Sequence, residues 1–361
     1  MKVVMTGGGT GGHIYPAIAI ADRIREERPD CGVVFVGTEK GLEKTLVPQW
    51  GYPIRFITAT GLDRRRLHRN VKALADFAAG LREAKALMKE LRPDMVIGTG
   101  GYVTGPVIKA AADLGIRVFI HEQNVSPGLT NRLLERYAEK VFVGFAEAEK
   151  GFRNKGKITV SGNPVRKVFY GLDRKAAREG LGISQGSFVV LSFGGSRGAV
   201  RINEVMAEAA AALSGVHGME LFFVTGRGHF DRIAAGFAEK GIALDGNVRV
   251  LPYADEMHRY LAACDLVVSR AGALTVSEIM VCGKPSILIP SPNVTGNHQH
   301  FNAKALADRG LATLIEERDL SLDSLMSAVH RMKADESYSA GMAMLGENRA
   351  AEIICGNLGL P

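Results

Sequence analysis

One local pattern is written twice in this chain, and nothing else in the sequence constrains the fold as much. The apolar run Val3-Val4-Met5 ends in Gly7-Gly8-Gly9-Thr10-Gly11-Gly12 and passes into a helical pattern. Far downstream, Val189-Val190-Leu191-Ser192-Phe193 ends in Gly194-Gly195-Ser196-Arg197-Gly198-Ala199, and a helical pattern follows again. Strand, glycine turn and helix in that order open a doubly wound α/β domain. The repetition therefore predicts two Rossmann-like doubly wound domains, facing each other across a cleft. Runs at 2–6, 32–36, 94–98, 117–121 and 140–144 read as strands of the first domain. The second takes 187–193, 220–224, 248–251, 265–269 and 286–290. Helical patterns lie between them, for example at 16–27 and 81–91. A polar, basic break at 151–157 precedes the junction near 160–166, which divides the chain into 1–162 and 163–340. A final segment, 341–361, contains one more helix. In such sheets ligands bind beyond the carboxyl ends of the strands.

Composition narrows the class. The 46% hydrophobic and 23% charged content is that of a globular protein, and no run of about 18 apolar residues would cross a membrane. The first residues read as a buried strand rather than a signal peptide. Four cysteines without C-x-x-C spacing suit a reduced, cytoplasmic chain without structural zinc. A net charge of +7 favours an anionic partner: nucleotide, acidic lipid or nucleic acid. The positive charge concentrates in Arg64, Arg65, Arg66, Arg69 and Lys72, just before the apolar-periodic Leu74, Phe77, Ala78 and Leu81. Single-stranded nucleic acid is usually held by aromatics set among basic residues. Aliphatic neighbours suit an anionic membrane surface better.

The glycine turns are the candidate sites. Gly7, Gly9 and Gly12 spell G-x-G-x-x-G, but the acidic residue that a dinucleotide needs about 20 positions on is poorly supplied, since Glu39 comes late. No G-K-[ST] follows, which excludes a Walker loop. A tight strand-to-helix turn without ligand is the competing reading. His13 favours a functional one, because a helix N-terminus disfavours imidazolium and leaves a neutral base. A second loop runs from Gly98 to Pro106 and carries Tyr102; His121-Glu122-Gln123-Asn124 closes another strand. Asn124, Glu122 and Tyr102 face a ligand in this reading, whereas His121 fits equally well as a satisfied buried histidine. Arg166, at the junction, suits a diphosphate or is simply a surface arginine. Gly194 to Ala199 offers backbone N–H groups to a phosphate. The stretch Ser269 to Glu278 runs from strand to helix through small residues, leaving amides free and placing Glu278 one turn into the helix, where it can accept from a vicinal diol. The polar run 297–302 either closes that pocket or is a solvated loop. No D-x-D, G-x-S-x-G or zinc-ligand spacing occurs, which argues against a metal clamp.

Taken in order, GGGTGGHIYP, GTGGYVTGP, HEQN, SGNPVR, GGSRGA and SRAGALTVSE closely resemble the motifs of the MurG family, the UDP-N-acetylglucosamine–lipid I N-acetylglucosaminyltransferases of peptidoglycan synthesis. The likeness runs from residue 6 to about residue 303. It implies a GT-B fold whose last helix returns to the N-terminal domain. It further implies UDP-GlcNAc on the C-terminal domain and the lipid acceptor at the N-terminal one, on the cytoplasmic face of the membrane, near other cell-wall synthesis proteins. By motif, Thr10, Gly11, Gly12, Asn124, Arg166, Ser196, Ala273, Leu274, Thr275, Glu278 and Gln299 would meet the donor, with the uracil edge near Tyr253 or Ala254. Tyr102 and Asn124 would meet the acceptor. The implied reaction is an inverting transfer to the C4 hydroxyl of lipid I, with His13 as base, Glu122 next in line, and neither metal nor cofactor. One departure is Arg197, where the family usually carries glutamine. A sugar-nucleotide 2-epimerase, a glycolipid glycosyltransferase and a non-catalytic nucleotide-sugar binder are the alternatives.

Overall fold

The computed structural model describes the chain except residues 62–69, 196–197, 242–245, 345–346 and 361, and counts refer to the described residues. These fall into two compact units, Met1–Arg166 with Asn348–Pro361, and Lys167–Glu347.

The first unit is built, in chain order, from β1 (Lys2–Gly7), α1 (Gly11–Glu27), β2 (Gly32–Gly37), α2 (Glu43–Gln49), β3 (Ile54–Phe56), α3 (Asn70–Leu91), β4 (Met95–Gly100), α4 (Thr104–Asp113), β5 (Arg117–Glu122), α5 (Leu129–Leu134), β6 (Lys140–Val143) and β7 (Ile158–Val160). Its strands form one parallel sheet in the order β3-β2-β1-β4-β5-β6-β7. Both faces are covered, which explains why the strands read as unbroken apolar runs. Alternate side chains go to opposite cores. Val3, Met5, Ile97 and Phe119 pack with Ile14 and Ile18 of α1, while Val4, Val96 and Ile120 pack with Met88 of α3 and Val107 of α4. Helix α3 begins well before residue 81, because its apolar periodicity already starts at Val71. Gly80 does not interrupt it: a Cβ there would lie 2.0 Å from the Thr58 carbonyl oxygen, so the glycine serves a close approach.

The second unit contains α6 (Arg174–Gly180), β8 (Phe188–Phe193), α7 (Val200–Leu213), β9 (Met219–Val224), α8 (Arg227–Glu239), β10 (Val248–Leu251), α9 (Met257–Ala263), β11 (Leu266–Ser269), α10 (Ala273–Val281), β12 (Ser286–Leu288), α11 (His298–Ala307), β13 (Ala312–Leu314), α12 (Leu322–Ala334) and α13 (Ser337–Ala343). The sheet order β10-β9-β8-β11-β12-β13 repeats the permutation of the first six strands of the other sheet. Val190, Phe223, Val250, Val268 and Ile287 meet Val205 of α7 and Leu325 and Val329 of α12 on one face. A fully buried Arg178 ties α6 to this sheet. Its Nη2 pairs with Asp265 at 2.6 Å, and Nε donates to the Ala263 carbonyl at 3.0 Å. Its Nη1 donates to the carbonyls of Gln185 and Ser187 at 2.8 and 2.9 Å.

The last helix, α14 (Ala350–Gly356), belongs to the first unit. Ile354, Cys355 and Leu358 are buried in the same core as α1.

Candidate active site

The sheet order reverses between β1 and β4, so the loops after these two strands flank the switch point of the first unit. These are the two glycine loops read from the sequence. They pack on each other through backbone. The amide of Gly8 donates to the Gly100 carbonyl at 3.3 Å, and the β1–β4 register shifts between Thr6 and Gly7. A Cβ on Gly101, whose φ is +88°, would sit 2.4 Å from the Gly8 carbonyl oxygen. A good part of the glycine density thus serves contact between the loops. Beyond that contact the loop opens outward: Thr10 and Gly12 are exposed, and Gly11 and His13 are half-buried.

His13 stands in the first turn of α1. Its Nδ1 lies 3.1 Å from the carbonyl oxygen of Thr99 and 3.1 Å from Oε1 of Gln123. Its Nε2 has no hydrogen-bond partner among the described residues. Gly100 makes room for the ring, since a Cβ there would fall 2.9 Å from Nδ1. Tyr102 lies over the first loop, with Cε1 3.1 Å from the place a Gly9 Cβ would occupy, and its hydroxyl is 3.3 Å from Oγ1 of Thr38. Arg166 belongs to this unit; its guanidinium stacks 4.2 Å from the ring of Tyr15 in α1 and 5.6 Å from that of Trp50.

The His121–Asn124 stretch ends β5. His121 is fully buried, and that burial lowers its pKa to about 4. Glu122 is only 2% exposed, yet no cation among the described residues pairs with its carboxylate. Four N–H donors satisfy it instead. Oε1 accepts from the amide and the side-chain Nδ2 of Asn124 at 3.0 and 3.1 Å; Oε2 accepts from the Gly128 amide at 3.0 Å and Asn131 Nδ2 at 2.8 Å. Asn124 itself is half-buried and held by this carboxylate.

Sequence reasoning passed over two residues that shape this site. Glu43, at the start of α2, is fully buried and accepts from the amides of Gly9 and Thr38, both at 2.9 Å, and from Thr38 Oγ1 at 2.9 Å. It anchors the glycine loop from below. The available signal is an acid shortly after Gly37-Thr38, where a dinucleotide fold would use one for ribose; Glu39, the first acid there, is exposed and lies 3.6 Å from Lys44. The other is Gln123, which an all-polar strand end gives no reason to single out.

In the second unit the sheet order reverses between β8 and β11. The turn after β8 is tight: a Cβ on Gly194 would lie 2.4 Å from the Ala199 nitrogen, and one on Gly198 2.2 Å from the Thr225 carbonyl oxygen. Ser196 and Arg197 lie outside the described residues. After β11, Gly272 precedes α10, whose first residues Ala273 and Leu274 are buried while Thr275 and Glu278 are half-exposed. After β12, Gln299 in the first turn of α11 accepts from the Ser291 amide at 2.9 Å through Oε1. Asn297 adopts a left-handed φ of 50° just before that helix. Ala254 is buried in the loop after β10, beside an exposed Tyr253 whose ring lies 4.7 Å under the Arg227 guanidinium. All these groups sit on the loops and first helical turns that follow the carboxyl ends of parallel strands. Of the basic segment, Arg64, Arg65, Arg66 and Arg69 lie outside the described residues, and Lys72 is exposed on α3.

Comparison with known proteins agrees with this layout. The glycosyltransferase family 28 N-terminal domain matches residues 3–143, and the family's C-terminal domain matches residues 189–354. A UDP-N-acetylglucosamine–N-acetylmuramyl-(pentapeptide) pyrophosphoryl-undecaprenol N-acetylglucosamine transferase of Desulforudis audaxviator is 44% identical over 360 residues, covering 98% of this chain and 96% of that one. The enzyme of the same name from Alkaliphilus metalliredigens is 42% identical, covering 98% and 97%. Among solved structures, Acinetobacter baumannii MurG superposes with a TM-score of 0.76 at 29% identity, covering 98% of both chains.

Proposed function

From the premise that this chain belongs to glycosyltransferase family 28, among its lipid-linked N-acetylglucosaminyltransferases, we propose how its residues divide the work. The fold is GT-B, and the chain is a UDP-GlcNAc-dependent N-acetylglucosaminyltransferase of peptidoglycan synthesis. It moves GlcNAc from UDP-GlcNAc to the C4 hydroxyl of MurNAc in undecaprenyl-diphospho-MurNAc-pentapeptide, with inversion. The identity of 44% over nearly the whole chain carries that activity.

The acceptor hydroxyl needs a base, and the departing UDP needs its negative charge stabilised. His13 takes the proton. Its half-buried ring offers an unpartnered Nε2 from a helix start beside two glycine loops. Glu122 is a poorer base, because four N–H donors already occupy its oxygens; its role is to order the loop that carries Asn124. The second unit, Lys167–Glu347, holds the donor. Amides at the starts of α7 and α10, with Ser196, Ala273, Leu274 and Thr275, meet the diphosphate. Glu278 takes the ribose hydroxyls, Ala254 lies at the uracil, and Gln299 orients the sugar. In the first unit, the motif resemblance assigns Thr10, Gly11, Gly12, Asn124 and Arg166 to the donor, and Tyr102 and Asn124 are assigned to the acceptor. No metal or cofactor enters this scheme.

The acceptor's polyprenyl tail places the reaction at a membrane surface, on the side where UDP-GlcNAc is available. No helix among the described residues is long and apolar enough to cross a bilayer. Helix α3 supplies a docking face instead: Val71, Leu74 and Phe77 are 73%, 64% and 40% exposed, and Lys72 is exposed beside them. Arg64, Arg65, Arg66 and Arg69 precede that helix. We assign this segment to the anionic cytoplasmic leaflet, with other cell-wall synthesis proteins as neighbours there.

Incubation with UDP-GlcNAc and a lipid I analogue, followed by UDP release and product mass, tests the reading. Acceptor-dependent release with a disaccharide product supports it. Release of UDP-ManNAc, or binding of UDP-GlcNAc without turnover, would replace it with an epimerase or a binding protein.

A further inference from the structure

A buried hydrogen-bond chain runs behind His13, and its polarity can be read from its ends. Gln123 Nε2 lies 2.8 Å from the Thr99 carbonyl oxygen and 3.1 Å from that of His121. Two carbonyl oxygens demand the amide nitrogen at that position, so Oε1 must point the other way, toward His13. Both neighbours of His13 Nδ1, Gln123 Oε1 and the Thr99 carbonyl, are acceptors only. Nδ1 therefore carries the hydrogen, and a neutral His13 has its lone pair on Nε2.

The other end is fixed in the same way. Gln123 Nε2 also lies 3.0 Å from His121 Nδ1, which must accept, and His121 Nε2 donates to the Gly162 carbonyl at 3.1 Å. Burial keeps His121 in this neutral form, which is the only one that fits. A protonated His121 would turn an N–H against the amide N–H of Gln123. A rotated Gln123 would then present its NH2 to the N–H of His13. Each link thus excludes the alternative orientation of the next.

We infer that Gln123, oriented by His121, is a positioning residue that fixes the Nδ1–H tautomer and ring plane of His13, so that Nε2 faces the acceptor hydroxyl. The inference rests on His13 being the base, but its main test does not. The principle is that of the carboxylate–histidine pairs, in which the group on one ring nitrogen decides what the other can do. Here a neutral amide fills that place.

The direct measurement is long-range 1H–15N NMR of the intact protein with selectively labelled histidine, His13 being assigned by the signal lost in His13→Gln. The neutral ring should appear as the Nδ1–H tautomer. An Nε2–H ring in the wild-type protein overturns the inference without recourse to any other variant. Gln123→Met keeps the side-chain length and removes both ends of the link. It should give His13 a mixture of tautomers and lower kcat by about tenfold to a hundredfold, the usual size of a supporting-shell effect. KM for UDP-GlcNAc should stay within threefold. A Gln123→Met protein that keeps His13 wholly in the Nδ1–H form overturns the inference whatever its activity. Mixed tautomers with unchanged kcat would uphold the orienting role and remove His13 from the chemistry.

Discussion

His13 and His121 lie on one hydrogen-bond chain, yet the environment gives them opposite tasks. His13 is half-exposed with one nitrogen unpartnered, the condition for moving a proton. Loss of a general base costs about 10²–10⁴ in rate, or roughly 3–5 kcal/mol at about 1.36 kcal/mol per decade. His13→Ala should lower kcat by that order with donor affinity within a few-fold, measured by UDP release and calorimetric titration on a protein with an unchanged thermal transition. Near-normal turnover would remove the base assignment. His121 is sealed and neutral, so its contribution is to pH stability. Its native pKa near 4 lies below the unfolded value near 6.5. Between these values the unfolded chain binds the extra proton. Stability is therefore fully present above about pH 6.5 and falls as pH drops toward 4, by up to about 3 kcal/mol. Urea unfolding from pH 7 to pH 4.5 should show a steeper acid loss in the wild-type protein than in His121→Gln. Parallel slopes would mean that the buried ring is not the group responsible.

At the scale of elements, the sequence announces what is long and leaves out what is short. The central strands were legible because both faces are covered and the apolar run is continuous. The strands left unread are β3, β7 and β13, each three residues long and each at a sheet edge. Three residues show no period, and an edge has no second neighbour to demand apolar character. Residue type alone does not say what a glycine approaches. Gly80 sits inside α3 for the sake of Thr58, and within 7–12 Gly7 and Gly9 face Thr99 and Tyr102 of the second glycine loop. The candidate site was legible as loops rather than as bonds: His13, Glu122 and Tyr102 stand out by type, but only coordinates show that Glu43 holds the loop or that Glu122 is saturated. Helix α3 carries its own prediction. Val71 and Leu74 are exposed, so polar replacements should change folding stability by no more than about 0.5 kcal/mol. On a membrane each buried side chain is worth about 1.5–3 kcal/mol and each lysine about 1 kcal/mol. Val71→Gln, Leu74→Gln and Lys72→Gln together should weaken sedimentation with anionic vesicles at least tenfold while activity on a short-chain soluble acceptor persists. Unaltered vesicle binding would move the membrane face to another element.

At the scale of the whole molecule, the chain crosses from the first unit to the second and back, and the return segment completes a core. Asn348 Nδ2 donates to the Asn163 carbonyl at 3.0 Å, and Lys140 Nζ donates to Asn357 Oδ1 at 2.6 Å. The apolar contribution is larger. Ile354 and Leu358 are fully buried in the core that holds Ile14 and Ile18 of the helix carrying His13. At about 1.5–3 kcal/mol for each such side chain, these two alone supply roughly 3–6 kcal/mol. That is a large fraction of the roughly 5–15 kcal/mol by which a domain is stable. Removing residues 348–361 should therefore melt the first unit well below the second, turning one calorimetric profile into two separated transitions. The upper transition should still rise when UDP is added, by the amount that ligand linkage dictates, because the donor groups assigned to 167–347 remain. Turnover should be lost with the first transition. If the shortened chain unfolds at the original temperature, α14 is a surface attachment and not a part of the core. If UDP no longer shifts the upper transition, donor binding depends on groups of the first unit such as Arg166 and Asn124.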